Sequence, residues 1–378
     1  MRHPDRTCFS DHFKGFVSTS FPLSEPGIAL IPELFISNSI VSISQTDFNA
    51  MQDCVRAIYT ATSQRTYREK CLAENPAWNG RLDEAYSAVT AFDFYITDEG
   101  PRLLEINTNA AAGPIVSLLQ SYHEEHFQTE YFDRLRLHFE AELINSGKSI
   151  ISVKVAIIDE TPETQKTYFE FLIFKALFES WGWQANIVDV VSCEPEKYDL
   201  IYNRYCDFLL SEPLSQRLKQ AYQAHTICLS PSPNAFALLS DKSRLIDFST
   251  PGFLPESVRH MIPETQLVTA ENADHIWQKR KQLFFKPAQA YGSKGVYKGA
   301  SITRTAFQKI VDGNSLAQTY VTPKTIAIAT DSGPEDYKYD VRVYTYDGEI
   351  ELMGARLFKG QVTNFKSPYG GFSAVKIV

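Results

Sequence analysis

The stretch from Ala91 to Gly113 (AFDFYITDEGPRLLEINTNAAAG) constrains the fold most, because it reads as a β-hairpin that carries acidic and amide side chains. Apolar and polar residues alternate from Phe92 to Ile96, which is the period of a half-buried strand. The segment from Asp98 to Gly100 is typical of a three-residue loop with glycine at a left-handed position. Counting back from that loop places Asp93 opposite Glu105 on the second strand.

The second strand of this hairpin carries a row of oxygen-bearing side chains. Glu105, Asn107 and Asn109 share one face, because side chains alternate along a strand. Hard oxygen ligands of this kind suit Mg²⁺ that is also bound by the phosphates of a nucleotide. The alternative is an exposed polar strand face beside a turn. Two opposed acids repel unless a cation lies between them, so we predict a metal site with Asp93, Glu105 and Asn107 as ligands.

The length and charge of the chain exclude several classes of function. At 378 residues it is long enough for two or three domains. A net charge of -8 argues against non-specific nucleic-acid binding, which requires clustered lysines and arginines. No apolar run reaches membrane-spanning length, and no charged-then-apolar leader opens the sequence. The six cysteines form no Cys-x-x-Cys pair, which predicts neither a zinc site nor a disulfide framework. We expect a cytoplasmic protein with no nucleic-acid or membrane partner.

The rest of the first two thirds of the chain predicts helices and a small α/β unit. Residues 1–45 predict irregular structure with one or two strands, and residues 47–74 a helix. A long helix is expected over 114–145, and the spacing of its His123 and His126 matches no zinc motif. From Lys148 onward, apolar runs at 153–158, 185–191, 199–202 and 227–229 alternate with helical periodicity, which favours parallel strands. A Gly-x-Gly-x-x-Gly fingerprint is absent, so no dinucleotide site is predicted.

The segment after Asp241 contains a strand that ends at Lys286, followed by a Gly-Ser-Lys-Gly turn at 292–295. Backbone N–H groups of such a turn can enclose phosphates. The Walker spacing is absent, however, and a mobile hairpin tip is an equal alternative. Residues 315–321 (SLAQTYV) are predicted as a further strand.

Two last strands, 340–346 and 349–358, flank an Asp347-Gly348 turn, which is a strong hairpin signal. A plain two-residue turn puts Arg342 and Arg356 on opposite faces of this hairpin. Both arginines reach one site only if a β-bulge shifts the register, and Gly354 is the candidate for that bulge.

Taken together, these motifs resemble the ATP-grasp superfamily of carboxylate–amine and carboxylate–thiol ligases. The matching elements are Lys242; Lys286 in FFKP with the glycine-rich loop after it; Gln318 to Val321; Asp340 and Arg342 in DVRV; Arg356 in GARL; Asn364 with Gly370-Gly371; and Asp93 with Glu105-Ile106-Asn107. In most members the acidic elements follow the lysine and glycine-rich elements, whereas here they precede them. The chain therefore looks circularly permuted, as eukaryotic glutathione synthetase is, and permutation is tolerated because domain termini often lie close together.

The resemblance implies an α/β (α+β) protein with an ATP-grasp fold in circularly permuted order and a small Rossmann-like α/β domain. Residues 1–147 would form the permuted C-terminal part of the fold with the metal hairpin. Residues 148–238 would form the small α/β domain, and residues 239–378 the nucleotide-binding subdomains.

The resemblance also implies ATP and Mg²⁺ as cofactors and assigns roles to single residues. Lys242 and Lys286 would contact the phosphates and the adenine. Gly292, Ser293 and Gly295 would close over the triphosphate, Gln318, Tyr320 and Val321 would line the adenine edge, and Asp340 would bind the ribose. Arg342 and Arg356 would be the catalytic cations that neutralise the transferring phosphoryl group. The substrate wall would include Asn109, Asn364, Gly370 and Gly371.

The implied function is an ATP- and Mg-dependent ligase that joins a small-molecule or peptide carboxylate to an amine or a thiol through an acyl phosphate, with a C–N bond expected. This chemistry requires no side-chain nucleophile, which agrees with the absence of a Ser-His or Cys-His signature. An ATP-grasp kinase that stops at phosphoryl transfer and a nucleotide-binding regulatory module are the alternatives. A homodimer is compatible with the sequence.

Overall fold

A computed structural model describes residues 6–288 and 296–378, so the predicted phosphate-loop residues Gly292, Ser293 and Gly295 lie outside the described residues. Within these ranges the strands form one sheet of seven strands and two sheets of four. The strands are β1 (Ile36–Ile43), β2 (Thr90–Thr97), β3 (Gly100–Asn107), β4 (Lys154–Asp159), β5 (Gln184–Asp189), β6 (Leu200–Asn203), β7 (Cys228–Ser230), β8 (Thr265–Leu267), β9 (Leu283–Pro287), β10 (Tyr297–Lys298), β11 (Ser315–Thr319), β12 (Thr325–Thr330), β13 (Gly333–Tyr346), β14 (Glu349–Phe358) and β15 (Gly371–Ile377).

Helices cover both faces of the large sheet and flank the parallel one. They are α1 (Arg6–Ser20), α2 (Glu25–Ala29), α3 (Gln45–Ser63), α4 (Arg65–Ala73), α5 (Gly113–His123), α6 (Glu130–Asn145), α7 (Tyr168–Ser180), α8 (Gln216–Gln223), α9 (Pro233–Ala235), α10 (Arg244–Ser249), α11 (Glu256–Arg259), α12 (Ala273–Lys279) and α13 (Arg304–Asp312). None of the helices in the described ranges combines the length and apolar character needed to cross a bilayer.

The seven-stranded sheet brings together segments that are far apart in the chain. Its strand order is β1-β15-β14-β13-β2-β3, with β12 paired to the first half of β13. One face is apolar and packs against α3 through side chains such as Phe92, Phe94 and Val341. Since side chains alternate, the residues between them, Asp93 and Arg342, project from the opposite face. The chemistry-bearing side chains of both hairpins therefore share one surface.

The β2–β3 hairpin reaches the predicted pairing by a different route. The loop is a two-residue turn, because Thr97 pairs with Gly100 and its hydroxyl donates to the Gly100 carbonyl at 2.8 Å. The three-residue loop is thus wrong. A β-bulge at Leu104 restores the register, so that Asp93 lies opposite Glu105 as predicted.

The β13–β14 hairpin contains the bulge on which convergence of the two arginines depends, but not at Gly354. The register shifts after Thr345 pairs with Ile350, which leaves Glu351 as the extra residue. Gly354 instead pairs with Arg342, and a Cβ at this glycine would lie 2.7 Å from a Val116 methyl on α5. The glycine is therefore explained by close helix packing. The bulge aligns both arginines on one face, as their convergence requires.

The two smaller sheets lie in the middle and last thirds of the chain. The strand order β5-β4-β6-β7 is parallel throughout, which confirms the predicted α/β unit. The antiparallel order β10-β9-β11-β8 includes the strands predicted around Lys286 and Gln318. The seven-stranded sheet takes strands from both the 1–147 and the 239–378 segments, and the three-domain division stays a prediction.

Helix boundaries differ from the predictions in three places. Residues 6–20 form α1, so irregular structure over 1–45 is wrong for this part. Its buried Phe9, Phe13 and Val17 recur every fourth residue, which is a helical stripe visible in the sequence. The helix predicted over 47–74 divides into α3 and α4 at Gln64, and the one predicted over 114–145 divides into α5 and α6.

Candidate active site

Asp93 lies at the centre of the polar face and is fully buried. Its Oδ1 accepts from Arg342 Nε and its Oδ2 from Arg342 Nη2, both at 2.7 Å, and Arg356 Nη2 lies 2.9 Å from Oδ2. Burial by itself would raise the pKa of Asp93, but the charges of the two arginines outweigh it and hold the pKa below its usual value. Asp93 is thus the shared counter-ion that brings the arginines together.

Asp340 forms a second ion pair directly across the sheet. Arg356 Nε donates to its Oδ1 at 2.6 Å, and the Thr363 hydroxyl donates to its Oδ2 at 2.5 Å. Burial raises the pKa of Asp340 although Arg356 opposes this. Both oxygens are engaged, so the ribose contact that the resemblance implies requires one of these hydrogen bonds to be exchanged.

Glu105 and Asn107 are two of the three predicted metal ligands, and the amide nitrogen of Asn107 faces the carboxylates. Both side chains are half-buried, and Asn107 Nδ2 lies 3.1 Å from Asp93 Oδ2 and 3.4 Å from Glu105 Oε1. Asp93, the third predicted ligand, faces two arginines, and a metal bound to it would displace at least one of them. In the part of the chain that the structure describes, no group of three or more Asp, Glu, His or Cys side chains is placed to hold a metal.

The bulge at Leu104 positions a lysine from the small antiparallel sheet. Lys286 Nζ donates to the Leu104 carbonyl at 3.0 Å and is largely buried. Burial lowers the pKa of Lys286 to about 8, against the opposing charge of Glu105 and together with the like charge of Lys242. The predicted approach of Lys286 to the acidic hairpin is therefore confirmed.

Lys242 is brought to the same place by the segment that precedes it. The Ser240 hydroxyl accepts from the Thr108 backbone N–H at 2.6 Å and donates to the Thr108 hydroxyl at 3.0 Å. This contact ties the chain before Lys242 to the end of β3. Both predicted lysines thus border the Glu105 end of the site.

The predicted adenine-binding residues lie on β11 and just after it. Gln318 is buried in the sheet, and its Nε2 donates to the Thr265 hydroxyl at 3.2 Å. The Tyr320 backbone N–H donates to Gln282 O at 2.8 Å, and Lys298 Nζ lies 4.1 Å from the centre of the Tyr320 ring. Val321 follows as a half-buried residue. Their roles toward a nucleotide stay predictions.

At the other end of the site, the loop after β3 meets the carboxyl edge of the parallel sheet. Arg204, directly after β6, donates to the side-chain and backbone oxygens of Asn109. Its Nη2 lies 3.9 Å from Oε2 of the fully buried Glu170, whose Oε1 accepts from the Ala112 N–H at 2.8 Å. Arg204 Nε and Glu170 Oε2 have no hydrogen-bond partner among the described residues. Buried groups of this kind favour a ligand that completes their bonding.

The remaining predicted substrate residues serve the loop after β14. Asn364 Nδ2 donates to the Lys359 and Val362 carbonyls at 2.7 and 3.0 Å, and its Oδ1 accepts two further bonds from this loop. A Cβ at Gly370 would lie 2.5 Å from the Leu357 carbonyl, and one at Gly371 2.8 Å from the Phe35 backbone. The hydrogen bonds of Asn364 and the close backbone contacts at Gly370 and Gly371 explain these three residue types without a substrate.

The whole cluster contains five cations and five carboxylates. The cations are Lys242, Lys286, Arg204, Arg342 and Arg356, and the carboxylates are Asp93, Glu105, Asp159, Asp340 and Glu170. Sequence reasoning missed Thr363 and Glu170, since a lone threonine in a loop and a glutamate in an apolar helix carry no chemical signature.

Comparison with known proteins identifies the fold. A glutathione synthetase-like effector from Globodera pallida, in its apo form, matches with a TM-score of 0.57 at 11% identity over 100% of this chain and 98% of its own. A protein described as a gamma-glutamylcysteine synthetase from Methylobacillus flagellatus KT matches with a TM-score of 0.46 at 8% identity, covering 83% of this chain and 85% of its own. No model of a protein family and no curated protein matches the chain.

The likeness to the Globodera pallida protein extends over the whole length of both chains. The chain therefore has the ATP-grasp-like fold of glutathione synthetase-like proteins, as its motifs predicted. At 11% identity this likeness concerns the fold alone.

Proposed function

We propose that the chain is an ATP-dependent ligase that joins a small-molecule carboxylate to an amine or a thiol. The observation that carries this proposal is the convergence of Arg342 and Arg356 on Asp93, beside Glu105 and Lys286. Phosphoryl transfer depends mainly on positioning and on neutralising charge, so fixed cations in a water-poor site supply most of what it needs.

The arginines would act on the phosphoryl group and on the acyl phosphate formed from it. The substrate carboxylate would attack the γ-phosphate and release ADP, and the amine or thiol would then displace phosphate from the acyl group. Arg342 and Arg356 are held by buried carboxylates, so they lose little conformational entropy when an anion binds. Lys286 and Lys242 would bind phosphate oxygens at the opposite edge.

Two of the three predicted ligands fit a bound Mg²⁺. Glu105 and Asn107 would hold the ion, which usually takes one or two protein oxygens and completes its coordination with phosphates and water. When bound, Mg²⁺ neutralises the charge that develops on the phosphates. Asp93 would then act through the arginines, which revises the predicted ligand set.

The carboxylate substrate would bind where the loop after β3 meets the parallel sheet. Arg204 is a largely buried cation whose Nε has no hydrogen-bond partner among the described residues, and Asn109 lies against it. Glu170, also buried, would accept a donor group of the same substrate. An acid that also carries an amine or amide is the substrate class that suits this arrangement.

The order of the elements supports circular permutation as part of the proposal. The β2–β3 hairpin lies beside β13 in one sheet although the chain places it far earlier. The predicted division at 1–147, 148–238 and 239–378 is consistent with this arrangement. The homodimer stays a prediction.

Thermal unfolding with a non-hydrolysable ATP analogue, with and without Mg²⁺, tests the nucleotide site. A ligand at a hundred times its dissociation constant stabilises the folded state by about 2.7 kcal/mol. We expect a Mg²⁺-dependent rise in Tm for the wild type that Glu105→Ala abolishes. Glu99→Ala, in the exposed turn of the same hairpin, is the matched control and should behave as wild type. An unchanged wild-type Tm would refute the proposal.

Trapping of the acyl phosphate with hydroxylamine separates the alternatives. A ligase gives a hydroxamate when ATP and the acid substrate are present without the acceptor. A kinase gives ADP and a stable phosphoester without hydroxamate, and a regulatory module gives no ADP at all.

A further inference from the structure

The β-bulge at Glu351 decides which face of the large sheet Arg356 occupies. In the observed register Arg356 lies opposite Asp340, and Arg342 shares that face because it follows Asp340 by two positions. Without the bulge, Arg356 would lie opposite Tyr339, on the other face. A shift of one residue moves every side chain beyond it to the opposite face of a sheet. The convergence of the two arginines therefore depends on this bulge.

A histidine on α6 contacts both strands at the bulge. His138 is buried, its Nε2 lies 3.0 Å from Oε1 of Glu351 on β14, and its ring stacks on Tyr346 of β13 with 3.7 Å between the ring centres. Its Nδ1 lies 3.4 Å from the Ala88 carbonyl oxygen. Both ring nitrogens thus face oxygen acceptors, and the protonated ring donates to both at once. The bond to Glu351 is then ionic, which makes it stronger than a neutral hydrogen bond.

A glutamine on α3 holds the same hairpin from the apolar face of the sheet. Gln52 is buried, its Nε2 donates to the Gly348 carbonyl at 2.8 Å, and its Oε1 accepts from the Ile350 N–H at 2.9 Å. These two bonds fix the turn and the residue that precedes Glu351. The hairpin is therefore held from both faces at the point where the extra residue enters β14.

We propose that His138 and Gln52 are positioning residues, which hold the bulge at Glu351 and so keep Arg356 beside Arg342. This inference rests on the proposed function, in which the two arginines neutralise the transferring phosphoryl group. Arg342 lies on β13, whose pairing with β2 does not involve the bulge. A change of register in β14 therefore moves Arg356 and leaves Arg342 in place.

A signal from the Arg356 side chain tests this inference without nucleotide. Its Nε–H is protected by the bond of 2.6 Å to Asp340, so it should be visible in a proton–nitrogen correlation spectrum of the full chain. Arg356→Lys assigns the signal by removing it. We expect His138→Phe, which cannot donate to the Glu351 carboxylate, and Gln52→Leu to shift or abolish the signal. Residues with a merely structural role would lower Tm when replaced and leave the signal in place.

Nucleotide affinity gives the second readout. Loss of one ionic hydrogen bond costs about tenfold or more in affinity. His138→Phe and Gln52→Leu should therefore bind a non-hydrolysable ATP analogue with Mg²⁺ at least about tenfold more weakly than the wild type. Glu351→Gln, which still accepts a bond from His138, and Leu137→Ala, at an exposed position of α6, should resemble the wild type in both readouts.

Thermal unfolding verifies that each variant is folded, and one folded positioning variant suffices if the other does not fold. An unchanged Arg356 signal or an unchanged affinity in a folded variant would overturn the inference and leave His138 and Gln52 as packing residues only. A wild type that shows the Arg356 signal but binds no analogue would refute the proposed ligase. The spectra alone would then decide whether the two residues position Arg356.

Discussion

Asp93 accepts two hydrogen bonds of 2.7 Å from Arg342, although 249 positions separate the two residues in the chain. The pair exists because β2 is inserted beside β13, where the two residues lie directly opposite each other. A cross-strand pair of opposite charge stabilises the register of two strands. The same contact thus fixes the topology of the sheet and aims an arginine into the candidate site.

Removing the shared carboxylate should destabilise the protein strongly. Asp93→Asn leaves the Arg342 and Arg356 guanidinium groups buried without this counter-ion, and breaking a buried pair in this way costs about 3–5 kcal/mol. Urea unfolding of the variant and the wild type measures this loss. Asp98→Asn, at an exposed turn position of the same hairpin, should change the free energy of unfolding little. Equal stability of Asp93→Asn and wild type would show that Asp93 is not the organising charge.

The sequence predicts the contents of the site better than its local geometry. Counting back from a three-residue loop places Asp93 opposite Glu105, and this pairing is confirmed although the loop length is wrong, because the bulge at Leu104 compensates for it. The register of a plain two-residue turn puts Arg342 and Arg356 on opposite faces, and the bulge needed to bring them together is present, but not at Gly354. The turn length and both bulge positions could not be read, because a bulge depends on which backbone groups find partners in three dimensions. At Leu104, for example, the partner is Lys286 from another sheet.

The fold as a whole followed from motifs, whereas helix breaks and single contacts did not. The parallel strands carry continuous apolar runs that mark them in any sequence. The break between α5 and α6 depends on how each helix packs against its neighbours. The contact of Glu170 with the Ala112 N–H likewise depends on how α7 packs. Helix α1 could have been predicted, although irregular structure was expected there. Its buried residues Phe9, Phe13 and Val17 recur every fourth position, which is the period of a helix.

Lys286 should make both stability and phosphate binding depend on pH. Burial lowers its pKa to about 8, below the value of an unfolded lysine. Between these two values the unfolded chain binds the extra proton, so the Lys286 contribution makes stability rise with pH by up to about 1.4 kcal/mol per pH unit. Lys286→Met should lose this slope in urea unfolding between about pH 8 and 10. A slope that persists in the variant would assign the effect to another group.

In the wild type, the affinity for an ATP analogue should fall over the same range as Lys286 loses the charge that attracts phosphate. Isothermal titration calorimetry at several pH values measures this. Lys281→Met, an exposed lysine just before β9, is the matched control and should keep the wild-type dependence. Affinity that is independent of pH would separate Lys286 from the phosphates.

Glu142 on α6 should have the opposite effect on stability. The side chain is 1% exposed, and burial raises its pKa to about 8 from the ordinary 4.5. Between pH 4.5 and about 8, Glu142 keeps its proton in the folded state and releases it in the unfolded state. The free energy of unfolding therefore falls as pH rises through this range. Glu142→Gln should be less sensitive to pH and more stable than wild type near the upper end. Urea unfolding across this window measures the difference, with the exposed Glu130→Gln as control; parallel curves for wild type and Glu142→Gln would contradict it.

A matched pair of glycine substitutions should change stability in opposite directions. At Gly354 an added methyl group would meet a Val116 side-chain carbon at 2.7 Å, and a β-branched side chain has few rotamers with which to yield. Gly354→Ala should therefore cost about 1–3 kcal/mol. Gly15 on α1 has nothing within 4 Å of an added Cβ, so Gly15→Ala should stabilise the helix by about 0.5–1 kcal/mol. Chemical unfolding measures both changes. Adding Val116→Ala to Gly354→Ala should recover part of the loss, and strictly additive effects in this cycle would show that the two residues are not in conflict.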